Sequence, residues 1–291
     1  MSESVLITGG AGSVGLRLVE RFLDAGWAVR VVDLPVMDFS GLVDRPGVEV
    51  IKGDITDRTL MAEAVSAIGA VVHLAALLPP NSERDRDRTF AVNVGGTENI
   101  IRALEENSPK ATLVFPSSVS TYGETAGETP PIHTGHPQRA IDVYADSKIA
   151  GEALVMQSPV TSVALRIAGI AVPAFLEPPA VWPFMPEQRV EMVHRDDVVT
   201  ALFASVAVPE AADRVLNIAG GPTWQLRGRD YVADFYGFLG APVEEAVYRD
   251  APGWMDWYDT QESQRILKYQ NSSYQHYSRE MEAIVESLMA G

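Results

Sequence analysis

Short apolar runs alternate with stretches that carry apolar residues at helical spacing along most of the chain. The runs predict strands at 5–7, 28–32, 48–52, 70–74, 112–117, 162–167 and 214–219. The spacing predicts helices at 13–25, 60–67, 84–106, 144–157, 195–206 and 274–288. Strands that are buried on both faces form continuous apolar runs, so the alternation favours a parallel sheet covered by helices on both sides.

The alternation breaks after Ile167. The segment 171–186 is rich in proline and bulky aromatic residues, which is typical of a loop that packs rather than of a flexible linker. We therefore predict an α/β protein with a Rossmann-type doubly wound parallel sheet and a small C-terminal substrate-binding lobe. The Rossmann domain would comprise 1–167 with 194–220, and the lobe 168–193 with 221–291.

Composition narrows the functions that this fold can have. The chain has 291 residues, 46% of them hydrophobic, and a net charge of −16. Such an acidic surface repels phosphate backbones and anionic lipid, so we expect no nucleic-acid and no membrane partner. Cysteine is absent, which excludes thiolate chemistry and fits a cytoplasmic location. The five histidines lack the spacing of metal ligands, so we expect no metal.

A glycine-rich segment, Thr8 to Gly15, follows the first predicted strand and opens the first predicted helix. Gly9 permits a tight turn, Gly12 lets the backbone approach a pyrophosphate, and Gly15 allows the helix to pack closely on the strand. The helix N-terminus favours the negative charge. This context predicts a dinucleotide site rather than a turn that merely needs glycine.

Asp33 closes the second predicted strand. A carboxylate at this position can accept hydrogen bonds from both hydroxyls of an adenosine ribose and would repel a 2′-phosphate, which favours NAD over NADP. The alternative is a solvated aspartate at a strand end. Asp54 and Ile55 end the third strand, where a carboxylate could meet the adenine amino group.

Tyr144 and Lys148 lie one helical turn apart on a predicted helix, where they share a face. Together with other motifs in the expected order, they make the chain similar to the extended short-chain dehydrogenase/reductases, in the NAD-dependent epimerase/dehydratase family. The resemblance covers about residues 4 to 220. It rests on Thr8-Gly-Gly-Ala-Gly-Ser-Val-Gly15, Asp33, Gly53-Asp-Ile55, His73-Leu-Ala-Ala76, Asn93-Val-Gly-Gly-Thr97, Ser117-Ser-Val-Ser-Thr-Tyr-Gly123, Tyr144-Ala-Asp-Ser-Lys148 and Val193-His-Arg-Asp-Asp-Val198.

The resemblance implies a catalytic group of three residues. Tyr144 would be the general acid and base, although a free phenol with a pKa near 10 is too weakly acidic for this role at neutral pH. The Lys148 ammonium and the positive nicotinamide would lower that pKa. Ser118 matches the catalytic Ser/Thr position and would hold the reacting oxygen near Tyr144.

The resemblance also implies further contacts with cofactor and substrate. Asn93 would brace the backbone near the site, with helix capping as the equal alternative. His194 and Val119 would lie beside the substrate, although most single histidines are structural. The implied cofactor contacts are Gly9, Gly12, Ser13, Val14, Gly15, Asp33, Asp54, Ile55, Leu74, Ala75, Ala76, Asn93, Tyr144, Lys148, Ile167 and Ala168.

Three departures from the family pattern bear on the reaction. Val119 and Ser120 replace the Asp-Glu pair that dehydratases use to protonate a leaving hydroxyl. Gly169 replaces the Asn that nucleotide-sugar epimerases carry after the sixth strand, and the segment before Val193 is shorter than theirs. These features favour a smaller or more apolar substrate, with Arg166, Arg189 and Arg195 as candidate anion-binding residues.

The sequence therefore predicts an NAD-dependent oxidoreductase that transfers hydride at a secondary hydroxyl or carbonyl carbon of a small substrate, such as a sugar, a uronate or another hydroxy compound. A nucleotide-sugar 4-epimerase resembling UDP-glucose 4-epimerase remains open, because both reactions begin with the same oxidation. A non-catalytic NAD-binding sensor is the second alternative. The helices 84–106 and 144–157 match those that pair two subunits in the family, which implies a homodimer.

Overall fold

A seven-stranded parallel sheet forms the centre of the computed structural model, which describes residues 3–289. The strand order is β3-β2-β1-β4-β5-β6-β9, so the direction of winding reverses between β1 and β4. The strands of this sheet are β1 (Ser4–Thr8), β2 (Ala28–Asp33), β3 (Val48–Lys52), β4 (Ala70–His73), β5 (Thr112–Ser118), β6 (Ser162–Ile167) and β9 (Arg214–Ile218). The strands β7 (Gly169–Ala171), β8 (Arg189–His194) and β10 (Gln225–Arg227) belong to a second sheet. The predicted doubly wound parallel sheet is confirmed.

Helices cover both faces of this sheet, whereas α7 packs against β8 and β10. The helices are α1 (Ser13–Asp24), α2 (Arg58–Ala64), α3 (Arg86–Phe90), α4 (Gly96–Asn107), α5 (Val143–Gln157), α6 (Arg195–Ala207), α7 (Gly228–Leu239), α8 (Gln261–Leu267) and α9 (Tyr274–Met289). Leu18 and Phe22 of α1 and Leu202 of α6 are buried in the core on one face. Met61 of α2 and Ile100 of α4 are buried in the core on the other. None of the helices in this described range is long and apolar enough to cross a membrane.

The predicted helix 84–106 is not continuous, which corrects the sequence-based assignment. A π-helix, Ala91–Gly95, separates α3 from α4. A Cβ at Gly96 would lie 2.5 Å from Cδ1 of Ile55, so a larger residue at the start of α4 would displace the side chain of this neighbour. Periodicity alone does not report this approach, because the neighbour comes from a distant part of the chain.

A second, three-stranded sheet, ordered β10-β8-β7, lies beyond the edge of the main one. Two of the three aromatic residues of the proline-rich loop pack here: Trp182 and Phe184 are 5% and 1% exposed and contact Tyr231 and Phe235 of α7. The end of the loop therefore packs, as its composition predicted, whereas Phe175 is 52% exposed. The proposed division into a Rossmann domain and a substrate-binding lobe stays a prediction.

Buried polar contacts fix the segment 254–258 against this small sheet. Arg189 pairs with Asp256 at 2.5 Å, and Glu191 accepts hydrogen bonds from the backbone N–H groups of Gly221 and Tyr258. Burial raises the pKa of Glu191 to about 7. The hydroxyl of Tyr258 in turn donates to the carbonyl of Trp254. This network fixes the position of Trp254 relative to the small sheet.

Candidate active site

A cleft of ≈ 450 Å³ opens at the carboxyl ends of the central strands, where the winding reverses. This is the position at which open α/β sheets bind ligands. The residues that were predicted for the site and that line the cleft are Gly9, Gly12, Ser13, Val14, Gly15, Leu74, Ala76, Ser118, Tyr144, Lys148, Ile167 and Ala168. The fold thus brings the glycine-rich turn and the Ser-Tyr-Lys group to one cavity, although they are far apart in sequence.

The glycine-rich turn has a backbone that side chains would obstruct. Gly9 has a φ of 72°, and a Cβ there would lie 2.8 Å from the amide nitrogen of Ala75. A Cβ at Gly15 would lie 2.5 Å from the carbonyl oxygen of Gly9. Gly12 has the loosest surroundings of the three, with a nearest contact of 3.4 Å, and it precedes α1 without a side-chain cap. The first N–H groups of α1 are therefore available to an anion.

Asp33 lies beside this turn at the end of β2, although it does not line the cleft itself. Its Oδ2 accepts a hydrogen bond from the N–H of Ala11 at 3.0 Å, and its Oδ1 accepts one from the N–H of Leu34 at 2.8 Å. A carboxylate offers about four acceptor positions, so capacity for two hydroxyl donors remains. The carboxylate is held in one orientation next to the turn.

Lys148 is held between helix α5 and strand β5. Its ammonium donates to the carbonyl oxygen of Pro116 at 2.8 Å and lies 4.9 Å from the ring centroid of Phe115 and 5.7 Å from that of Tyr144. Burial lowers the pKa of Lys148 to about 8. Burial and, to a lesser extent, the carboxyl group of Asp142 raise the pKa of Tyr144. Burial and Asp142 thus act on the phenol of Tyr144 in the direction opposite to the lowered pKa that the resemblance implies.

Ser118 ends β5 with its hydroxyl at the cleft. Its Oγ accepts hydrogen bonds from the N–H of Ser120 at 3.1 Å and from the hydroxyl of Ser120 at 2.8 Å. In this arrangement the proton of Ser118 is left for a further acceptor. The neighbouring Ser117 also lines the cleft, and its buried Oγ has no hydrogen-bond partner among the described residues.

Asn93 makes contacts that match the bracing role rather than helix capping. Its Oδ1 accepts from the N–H of Leu77 at 2.7 Å, and its amide donates to the carbonyl of Leu77 and to Oγ of Ser147. It thereby ties the chain that follows β4 to helix α5. His73, next to it in the core, bonds Thr8 and Thr97, and burial and Lys148 lower its pKa to about 3.

Two residues predicted to contact substrate lie away from the cleft. Val119 is fully buried in the core on the α1 side of the sheet. His194 is 1% exposed, and its Nε2 lies 2.9 Å from Oε2 of Glu280 while its Nδ1 accepts from the N–H of Asp196. The geometry gives His194 a structural position at the start of α6, which the sequence context alone could not distinguish.

Besides Asp33 and Asn93, three predicted cofactor contacts do not line the cleft: Asp54, Ile55 and Ala75. Asp54 is exposed, and its carboxylate accepts from the N–H of Thr56. Ile55 is 5% exposed and packs in the core on the α2 side. Ala75 is half-buried and donates its N–H to Thr8 Oγ1.

Sequence reasoning missed several residues that line the cleft. They are Leu78, Pro79, Pro116, Ser117, Gly169, Ile170, Val198, Leu202 and Trp254. Leu78 and Ile170 follow predicted contacts closely in sequence, so extending each strand-end segment would have found them. No signal could have found Trp254, because its position depends on the network that joins the C-terminal tail to the small sheet.

The reversed winding, the glycine turn after β1 and the cleft between them define a doubly wound dinucleotide-binding protein. A family model described as the NAD dependent epimerase/dehydratase family matches residues 5–168. The match covers more than half of the chain, which belongs to this family. The family identified from the sequence motifs is confirmed, and so is NAD as the cofactor on which the family depends.

Relatives within the family differ in reaction. The chain is 37% identical over 161 residues to a Mycobacterium tuberculosis 3 beta-hydroxysteroid dehydrogenase/Delta 5-->4-isomerase, covering 52% of this chain and 42% of that protein. It is 32% identical over 175 residues to a Lacticaseibacillus casei UDP-glucose 4-epimerase, covering 58% and 52%. The chain thus spans about half the length of the curated relatives that it matches.

A solved structure extends the comparison over nearly the whole fold. The Thermotoga maritima UDP-glucose 4-epimerase with UDP-glucose superposes with a TM-score of 0.83 at 20% identity, covering 98% of this chain and 99% of that one. At this identity the likeness shows the fold alone.

Proposed function

We propose that the protein is an NAD-dependent oxidoreductase that transfers hydride at a carbon carrying a secondary hydroxyl or carbonyl group. The observation that carries the proposal is that one cleft is lined both by the glycine-rich turn and by Ser118, Tyr144 and Lys148. Dinucleotide binding and proton transfer would then occur within reach of one another, as the reaction requires.

The residues of the turn fit the cofactor. The absence of a Cβ at Gly9, Gly12 and Gly15 leaves backbone N–H groups open to a pyrophosphate, and Asp33 would accept the hydroxyls of the adenosine ribose. Ile167 and Ala168 would contact the nicotinamide end. Bound NAD would supply a hydride acceptor in the oxidised form and a hydride donor in the reduced form.

The three polar residues would divide the proton chemistry. Tyr144 would take the hydroxyl proton of an alcohol, or return it to a ketone. Ser118 would donate its free proton to the reacting oxygen and hold it near Tyr144. The Lys148 ammonium, held by Pro116, would favour the phenolate by its charge and would bind the nicotinamide ribose.

A 4-epimerase is the second candidate function, favoured by the match to the Lacticaseibacillus casei enzyme. An epimerase would oxidise the substrate and return the hydride to its other face, so no reduced cofactor would accumulate. A sensor that binds NAD without turnover is the third candidate.

Absorbance at 340 nm during incubation with NAD and a panel of alcohols, uronates, hydroxy acids, sterols and sugar nucleotides tests these functions. Net reduced cofactor identifies a dehydrogenase. A changed sugar isomer on chromatography without net reduction identifies an epimerase. Cofactor binding without any product from the panel supports the sensor, and a protein that fails to bind NAD contradicts all three.

We also propose that the protein forms a homodimer through α5 and the helical segment before α4. Apolar residues on these elements remain partly exposed, among them Phe90, Val94 and Ile149. An apolar outer face on a helix whose inner face is already buried calls for a further partner. Light scattering that gives the mass of one 31.6 kDa chain would contradict the dimer.

The chain contains no cysteine, which supports a proposed cytoplasmic location. Fractionation of the source cells with an antibody to the protein tests that location.

A further inference from the structure

We infer that the substrate is an uncharged, mainly apolar secondary alcohol or the matching ketone, and not a nucleoside-diphosphate sugar. The inference rests on the proposed function and narrows it. It follows from three features of the described residues. The lining of the cleft is apolar, the N-terminus of α5 is capped by carboxyl groups, and the candidate arginines are paired with carboxylates of the protein.

The lining of the cleft near the Ser-Tyr-Lys group is apolar. Leu78, Pro79, Ile170 and Trp254 line the cavity together with Tyr144. Leu78 and Ile170 are 56% and 36% exposed, so the mouth of the cleft presents aliphatic side chains to water. Contacts of this kind favour an apolar substrate by roughly 25 cal/mol per Å² buried, and they offer little to sugar hydroxyls.

The N-terminus of helix α5 begins beside the cleft, where it could otherwise attract an anionic substrate. The protein's own carboxyl groups already cap it. Glu83 accepts hydrogen bonds from the N–H groups of Val143 and Tyr144, and Asp142 accepts one from the N–H of Ala145. The negative charge of these groups would repel a diphosphate that approached Tyr144.

The arginines that were candidates for binding an anion have other partners. Arg166 is buried against Glu152 at 2.5 Å and also donates to the hydroxyl of Tyr122. Arg189 pairs with Asp256 at 2.5 Å. Arg195 pairs with Asp196 at 3.0 Å. Within the described part of the chain, Lys148 is then the charged residue that lines the cleft, and it serves the proton transfer.

Arg249 is the cation that could overturn this inference. Its charge acts on Asp142, where it opposes the rise in the pKa of that carboxyl group that burial causes. Asp142 caps α5, so a diphosphate that bound near the start of this helix would compete with that carboxyl group for the charge of Arg249.

The reaction balances without a further reactant. The alcohol loses a hydride from its carbon to NAD and its hydroxyl proton by way of Tyr144 to water, which yields the ketone, reduced cofactor and one proton. The reverse reaction consumes the same species.

The test compares 4-tert-butylcyclohexanol with UDP-glucose as substrates of the full-length protein. Oxidation with NAD is followed at 340 nm, the sugar products are separated by chromatography, and binding of 4-tert-butylcyclohexanone to the protein with reduced cofactor is measured by calorimetry. We expect kcat/KM to be at least about 100-fold higher for the cyclohexanol, the discrimination that a few mismatched pocket contacts provide. We expect the ketone to bind and UDP-glucose not to.

Variants assign the preference to the apolar lining. Leu78→Asp and Ile170→Asp are expected to lower kcat/KM for the cyclohexanol by about tenfold or more, while the Kd for NAD stays within about twofold. Val243→Asp is the matched control, because Val243 is 39% exposed and lies outside the cleft lining. It should leave both quantities unchanged.

The inference would be overturned if UDP-glucose were turned over faster than the cyclohexanol or bound more tightly than the ketone. The contradiction would be most direct if Arg249→Ala abolished this activity or binding towards UDP-glucose. Failure of the ketone to bind the protein loaded with reduced cofactor would overturn it as well. Loss of NAD binding itself is a different result, because it contradicts the proposed function and not the choice of substrate.

Discussion

The ammonium of Lys148 donates a hydrogen bond to the carbonyl oxygen of Pro116 over 2.8 Å. Pro116 lies in β5 two residues before Ser118, whereas Lys148 lies in α5 one turn after Tyr144. This one bond therefore joins the strand that carries the serine to the helix that carries the tyrosine. It sets the two halves of the proposed proton-transfer group at a fixed position relative to each other.

Tyr144→Phe should lower kcat by about 10²–10⁴-fold, the range typical of a lost general acid or base. The Kd for NAD should change by less than about threefold, because the ring remains. Initial rates at 340 nm and calorimetric titration measure the two quantities. Tyr248→Phe is the control and should leave both unchanged; equal losses in the two variants would argue against a specific role for Tyr144.

Gly15→Ala and Gly12→Ala should separate packing from cofactor binding. The new methyl at position 15 would clash with Gly9 at 2.5 Å, so we expect a loss of about 1–3 kcal/mol in the free energy of unfolding as well as weaker NAD binding. At position 12 the nearest contact is 3.4 Å, so stability should change little while the NAD affinity falls.

Urea unfolding and NAD titration of these two variants test that separation. Gly41→Ala serves as the control, because a Cβ there meets nothing within 4 Å. Unchanged NAD affinity in Gly12→Ala would contradict the placement of the pyrophosphate at this turn.

Lys148→Met should change how stability depends on pH. Burial lowers the pKa of Lys148 from 10.5 to about 8. Below about pH 8 the lysine is charged in both states, and the folded protein bears the cost of burying the charge. Between about pH 8 and 10.5 the unfolded chain binds more protons, so the free energy of unfolding of the wild type rises with pH.

The stability advantage of Lys148→Met over the wild type should accordingly shrink between pH 7 and pH 10. Urea titrations at unit intervals of pH measure this difference, in which the contributions of other residues cancel. Lys110→Met, an exposed position, should show no such trend. A difference that stays constant over this range would mean that the pKa of Lys148 is not lowered.

Asp33→Gly should shift coenzyme preference from NAD towards NADP. Losing the carboxylate removes acceptors for the ribose hydroxyls and the repulsion of a 2′-phosphate, each worth about 1–3 kcal/mol. We expect the ratio of the two Kd values to change by at least about tenfold. Asp54→Ala is the comparison, since its carboxylate is exposed and bonds Thr56, and it should change the ratio less. A ratio that Asp33→Gly leaves unaltered would remove Asp33 from the site.

Arg166→Met should destabilise the fold by about 3–5 kcal/mol, because it leaves the buried Glu152 carboxylate without its partner. In the double variant with Glu152→Leu, part of the lost free energy of unfolding should be recovered. Arg45→Met, which breaks an exposed pair with Glu20, should cost less than about 1 kcal/mol. Urea unfolding measures all three; a stable Arg166→Met protein with weaker substrate binding would instead make Arg166 an anion-binding residue.

The sequence by itself determined the main sheet and the proposed cofactor turn. Strand 162–167 has the predicted bounds, because all six of its residues are buried and form a mainly apolar run whose ends are marked by polar or turn residues. Strand 48–52 also has the predicted bounds, although it lies at the edge of the sheet and each of its residues is at least partly exposed. The glycine-rich segment could also be predicted, since its residues are adjacent in the chain and their spacing is typical of a dinucleotide-binding turn. The close approach of Gly9 to Ala75, in contrast, joins residues that are distant in the sequence.

Tertiary structure alone decided which residues share the cleft. His194 and Val119 stand in the same motif pattern as residues that reach it, yet one bonds Glu280 and the other is buried in the core. Trp254 reaches the cleft through contacts with residues remote in sequence. Local periodicity records which face of an element is apolar, whereas a cleft depends on distant elements meeting, and that information lies in side-chain packing.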